Sequence, residues 1–173
     1  MIIVLGPGRC GTSTVARLLH NNLKVSMGKR FRKPDTSNPQ GFFEDLDFRD
    51  LNHTLLNGES QHFSLEEQID RLVISSNEHE RLWGVKDPRI CHLWQIYQKY
   101  SARYIICTRR PQFIVKSMIT NYGWSEEESK QLLLTRLNGI DKLLEGRDAL
   151  RIDFSNKRKD SELTNLLQNF LRG

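Results

Sequence analysis

"GPGRCGTST", residues 6–14, follows the apolar run Met1-Ile2-Ile3-Val4-Leu5. Gly6-x-x-x-x-Gly11 has the spacing of a phosphate-cradling turn between a strand and a helix. Such a turn aims backbone N–H groups at an anion, and the helix N-terminus adds its partial positive charge. Gly6, Gly8 and Gly11 permit close approach, Thr12, Ser13 and Thr14 supply hydroxyls, and Arg9 adds a fixed cation. One part is missing. A loop built for ATP sets a lysine before its Ser/Thr, and here Thr12 is followed by Ser13. Asp153, late in the chain, is the one clear candidate for a metal-holding carboxylate at the end of an apolar strand. The loop is therefore expected to hold one phosphate rather than a triphosphate with its metal.

Outward from the loop, residues 1–6 read as a strand and 12–22 as a helix with Val15, Leu18 and Leu19 on one face. Residues 28–41, with two glycines and two prolines, read as a loop, and 43–57 as a helix. Ser64-x-x-Glu67 predicts a capped helix to about residue 79, and Ser125-x-x-Glu128 another to about 145. Residues 81–86, 102–108 and 149–154 read as strands. Helices are expected after Pro88 (to residue 100) and Pro111 (to 121), and over 160–171. Strands alternating with helices predict an α/β three-layer sandwich around a parallel sheet of four to five strands. Ligands then bind at the C-terminal strand ends. That rule gathers the 6–14 loop, residues 86–89 and residues 109–111 at one edge.

The bulk properties agree with one domain over 1–173: a hydrophobic share of 38% and a charged share of 27% suit a polar globular protein. No apolar stretch approaches the roughly 20 residues needed to span a bilayer. Cys10, Cys91 and Cys107 are too few and scattered for a disulfide framework or a zinc site, which suits a reducing cytoplasm. Cys10 reads as a space-filler within the loop. The net charge of +5 and the basic clusters at 24–33 and Arg109-Arg110 point to an anionic ligand, whereas Lys157-Arg158-Lys159 reads as solvated surface.

The loop resembles the 5′-phosphosulfate-binding loop, G-x-x-R-S-G-T-[ST], of sulfotransferases that use 3′-phosphoadenosine-5′-phosphosulfate (PAPS), with Cys10 replacing the usual Ser. "CTRRPQFIVKS" (107–117) resembles that family's 3′-phosphate segment. "WGVKDPR" (83–89) and "NPQGFFED" (38–45) are similar to segments of its tyrosylprotein and carbohydrate-type branches. "LRIDF" and "LLQNFLRG" resemble its closing strand and helix. The resemblance implies a P-loop NTPase-like sulfotransferase fold that moves a sulfuryl group from PAPS to a hydroxyl or amine acceptor, with no metal expected. It implies nucleotide contacts from Gly8, Arg9, Cys10, Gly11, Thr12, Ser13, Arg109 and Ser117. Transfer in line then needs cations at the leaving oxygen, for which Arg9 and Lys86 are the candidates. Glu44 leads as general base, ahead of Asp45, Asp87, His92 and His53. Glu44 equally suits a helix N-terminal acid, and Asp87 a cap before Pro88.

Three rival readings stand on the sequence, one of them a degenerate sulfotransferase that binds the nucleotide without turnover. A P-loop nucleotide or small-molecule kinase fits the glycine spacing but lacks the loop lysine. A nucleic-acid-binding module through residues 24–33 has only Phe31 as an interleaved aromatic, so no nucleic acid is expected.

Overall fold

The computed structural model describes residues 1–58 and 62–173. Four strands form the sheet: β1 (Ile2–Leu5), β2 (Gly84–Lys86), β3 (Arg103–Thr108) and β4 (Ala149–Asp153). Their spatial order is β2-β1-β3-β4, and every pairing is parallel. The expected α/β class with a central parallel sheet is thus the observed one. Parallel neighbours need crossovers, and helices supply them on both faces.

Side-chain alternation along each strand feeds two cores. Ile2, Val4, Ile105 and Cys107 pack on one face with Val15, Leu18 and Leu19 of α1 (Thr12–Asn21), Met118 of α5 (Pro111–Tyr122), and Leu163 and Leu167 of α7 (Asp160–Arg172). Ile3, Leu5, Val85 and Ile106 face the other way. They meet Phe48 of α2 (Leu46–Asn57), Ile69 of α3 (His62–His79), Tyr97 of α4 (Trp94–Tyr97), and Ile140 and Leu143 of α6 (Glu126–Leu143).

Local signals hold where the cap is local. Ser125 accepts from the Glu128 N–H while the Glu128 carboxylate accepts from the Ser125 N–H, which is the capping box expected at the start of α6. The start expected at Ser64 falls differently: α3 begins at His62, and the Ser64 side chain lies outside the described residues. The single helix expected from Pro88 to residue 100 is instead a 3-10 turn, Pro88–Cys91, followed by the short α4. α6 crosses so closely here that a Cβ on Gly139 would lie 1.7 Å from the Cys91 carbonyl oxygen. The backbone under that crossing tightens, with the His92 N–H donating to the Arg89 carbonyl. Among the described residues no helix is long and apolar enough to cross a membrane.

Candidate functional site

The 6–14 loop leaves β1 and enters α1 in a conformation that only part of the sequence menu tolerates. Gly8, Arg9 and Gly11 have φ of 93°, 54° and 91°. Arg9 holds that left-handed geometry at a steric cost, a kind of strain that concentrates at functional sites. A Cβ on Gly6 would lie 2.3 Å from Cys10 Sγ, so the loop closes on its own thiol. Cys10 is fully buried, and burial pushes its thiol up to about 11, which leaves it the space-filler its sequence setting suggests. Gly11 caps α1 with no side-chain hydrogen bond, so an anion can take the first-turn N–H groups.

A cavity of about 230 Å³ opens beside the loop, lined by Gly8, Arg9, Thr12 and Ser13 from the loop and by Lys86 and Arg89 beyond the end of β2. Glu44 completes it from the segment before α2. Lys86 Nζ donates to Glu44 Oε1 at 2.8 Å, and both residues are buried. Glu44 Oε2 is buried without a hydrogen-bond partner, with Arg32 at 3.9 Å and Arg49 at 4.0 Å. Arg9 extends across the cavity: its Nε donates to Ser117 Oγ at 2.9 Å and an Nη to the Ser37 carbonyl at 3.2 Å.

Asp87 serves as the N-cap of the 3-10 turn. Its Oδ1 accepts from the Arg89 N–H and from Arg89 Nη1, both at 2.9 Å. Its Oδ2 accepts from Asn52 Nδ2 at 3.0 Å, and Tyr97 in turn donates to Asn52. Burial raises the Asp87 carboxyl above its usual range, partly countered by Arg89. Asp45 caps α2 and accepts from the Asp47 and Lys29 N–H groups, so its role is structural. His92 sits behind the cavity, where its Nε2 accepts from Arg136 Nε at 3.3 Å. Burial, reinforced by Arg136, lowers its pKa. His53 is exposed and contacts Asn57.

Arg109 lies on the other side of the loop. Its Nη1 donates to the Arg9 carbonyl at 3.3 Å, and its Nε is buried without a partner. It lines a second cavity, about 460 Å³, with Gly11, Arg17, Phe154 and Arg158. The Phe154 ring presses on the loop: a Cβ at Gly11 would lie 2.6 Å from it.

Three solved structures are similar in fold along nearly the whole chain. Shikimate kinase from Bacteroides thetaiotaomicron aligns with a TM-score of 0.63 and 11% identity, covering 99% of this chain and 98% of its own. Deoxyadenosine kinase from M. mycoides, with bound dATP, gives 0.58 and 12%, covering both chains completely. The YorR protein from Bacillus subtilis, in complex with phosphorylated GDP, gives 0.57 and 14%, covering 99% and 96%. The chain shares its fold with these three proteins.

No family model and no curated protein matches the chain. The kinase-type neighbours overturn the sulfotransferase resemblance, and with it the PAPS donor and the sulfuryl-transfer activity it implied. The resemblance implied Arg109 and Ser117 together on a 3′-phosphate, remote from the loop anion. Ser117 accepts from Arg9 beside the first cavity, and Arg109 lines the second. A glycine turn with hydroxyls reports an anion at a helix N-terminus, which two kinds of group transfer share.

Kinases of this fold class bring Mg²⁺ between the phosphates and a carboxylate. The carboxylates here do not fit that role. Asp87 is buried, does not line the cavity and accepts from Arg89 and Asn52, and Glu44 is matched by Lys86 with two arginines close by. Among the described residues no three His, Cys, Asp or Glu side chains cluster to hold an ion. The sequence reading also missed Arg136, which lines the cavity and donates to the Pro7 carbonyl at 2.9 Å. A signal was present. Leu133, Ile140 and Leu143 form the buried stripe of α6, and Arg136 sits three residues after Leu133 on that stripe.

Proposed function

We propose that the chain is a nucleotide-dependent phosphotransferase that moves a phosphoryl group to the hydroxyl of a small acceptor. The observation that carries the reading is the convergence of the glycine loop and Lys86 on one cavity: β1 delivers the loop, and the neighbouring strand delivers the cation the loop lacks. The kinase likeness of the fold supports it, as does dATP in one neighbour.

In this reading the loop N–H groups and the Thr12 and Ser13 hydroxyls hold the phosphates at the α1 N-terminus. The nucleoside extends into the cavity beside Phe154, where Arg17, Arg109 and Arg158 supply positive charge. The acceptor sits opposite, against Lys86. Its hydroxyl oxygen attacks the terminal phosphorus, the bond to the bridging oxygen breaks, and the nucleoside diphosphate leaves with that electron pair. Such a transition state is loose, so catalysis is positioning plus charge neutralisation. Lys86 and Arg9 neutralise the transferring group. Glu44 fixes Lys86 through Oε1 and offers the unpartnered Oε2 to the departing acceptor proton. Three free, buried thiols, one of them inside the loop, support a reducing cytoplasmic setting.

The test is turnover of ATP, dATP and GTP against a panel of small hydroxyl acceptors, with Lys86→Met as control. Acceptor-dependent nucleoside diphosphate release that Lys86→Met abolishes supports the reading. Nucleotide binding unaffected by Gly11→Ala, together with no release, removes it.

A further inference from the structure

The charges lining the Lys86 cavity do not balance. Arg9, Arg32, Lys86, Arg89 and Arg136 face it, with Glu44 as the one acidic residue among its lining. Lys86 pairs with Glu44, Arg89 with Asp87 at 2.9 Å, and Arg32 with Asp35 at 3.0 Å. Arg9 and Arg136 form no ion pair among the described residues. Arg9 belongs to the loop, where the nucleotide's phosphates meet it.

Arg136 is different. It enters from α6 and is held by two neutral acceptors, the Pro7 carbonyl at 2.9 Å and His92 Nε2 at 3.3 Å. Its guanidinium lies so close to the loop that a Cβ on Gly8 would be 2.8 Å from Nη1. Its desolvation is large enough to push its pKa down. A partly buried cation with no ion-pair partner among the described residues is incompletely compensated for its desolvation. The two bonds use only part of its fork of five N–H donors.

We propose that the acceptor of this site carries an anionic oxygen group of its own, a carboxylate or a phosphate, and that Arg136 receives it. This rests on the phosphotransferase reading above. The remaining guanidinium N–H groups match the planar or tetrahedral oxygens of such a group. A cavity of about 230 Å³ limits the acceptor to a small metabolite, and Phe42, Tyr122 and Trp124 supply its apolar wall. The hydroxyl then reacts at Lys86 and Glu44, which line the same cavity.

The experiment is a thermal-shift titration with malonate, and separately with inorganic phosphate, against chloride at equal ionic strength. The protein is first saturated with a non-hydrolysable ATP analogue, so that the loop is filled. Malonate or phosphate is expected to raise Tm by a further ~2–4 °C. In Arg136→Met the unliganded Tm is expected to rise, because an uncompensated charge has gone, while the anion shift disappears. Arg136→Lys, which keeps the charge without the fork, is expected to weaken anion binding about tenfold, and it serves if the Met variant does not fold. No shift beyond chloride in the parent protein overturns the inference, and so does a full shift in Arg136→Met or, should that variant not fold, in Arg136→Lys. The analogue's own shift reports separately on nucleotide binding. If the analogue gives none, the phosphotransferase reading fails, while the dependence of the anion shift on Arg136 is still read.

Discussion

Lys86 Nζ lies 2.8 Å from Glu44 Oε1, at 3% and 4% residue exposure, across a sequence separation of 42 residues. This contact fixes the segment before α2 to the end of β2. Breaking a buried pair by removing one partner strands the other charge and costs about 3–5 kcal/mol. Lys86→Met and Glu44→Gln are each expected to destabilise by an amount in that range, and the double variant by less than either alone. Urea unfolding of the three variants gives the double-mutant cycle. An additive result means that the two groups do not sense each other.

Gly11 and Gly58 share a left-handed backbone but not a neighbourhood. Gly11→Ala forces a Cβ to within 2.6 Å of the Phe154 ring, whereas no described residue lies within 4 Å of one at Gly58. Both changes carry the backbone penalty of about 1–2 kcal/mol. Only Gly11→Ala is expected to reduce nucleotide affinity, measured by calorimetry, since among the described residues only there do loop and strand end have to move.

His92 links stability to pH. Its folded-state pKa lies below the unfolded value of about 6.5, chiefly through burial. The unfolded chain then binds the proton more readily, so stability is fully present above about pH 6.5 and falls as pH drops below it toward the folded value. His92→Gln is expected to flatten that decline in urea midpoints over the same window. Retention of the full slope assigns it to other groups.

Asp87 gives a prediction about metal. Asp87 is buried and does not line the cavity, with Oδ1 on Arg89 and Oδ2 on Asn52. Nucleotide binding is therefore expected to change by less than about tenfold, or ~1.4 kcal/mol, when Mg²⁺ is replaced by EDTA. A larger loss means that a carboxylate here does engage a metal.

β1 and β3 were legible because each is a short apolar run, such as 104–107, that cannot be satisfied at a surface. The start of α6 was legible because Ser125 and Glu128 solve a problem local to one turn. The segment after Pro88 was not, since its 3-10 geometry is set by α6 crossing at Gly139, 48 residues from Cys91 in sequence. The loop showed that an anion binds, and Arg9, Lys86 and Glu44 do meet around one cavity. The identity of the transferred group was not written in those residues, because glycine φ values and hydroxyls recognise phosphate and sulfate oxygens alike. Arg136 stayed hidden among the leucines of α6, where a lone cation reads as an interruption until its cavity is seen.

The sealed thiol of Cys10 turns the loop into its own clock. Alkylating reagents reach that sulfur only when the turn between Gly6 and Gly11 springs apart, so labelling speed, followed by peptide mapping, counts those excursions. Whatever occupant clasps the turn shut should slow the count, and it can do so without being turned over.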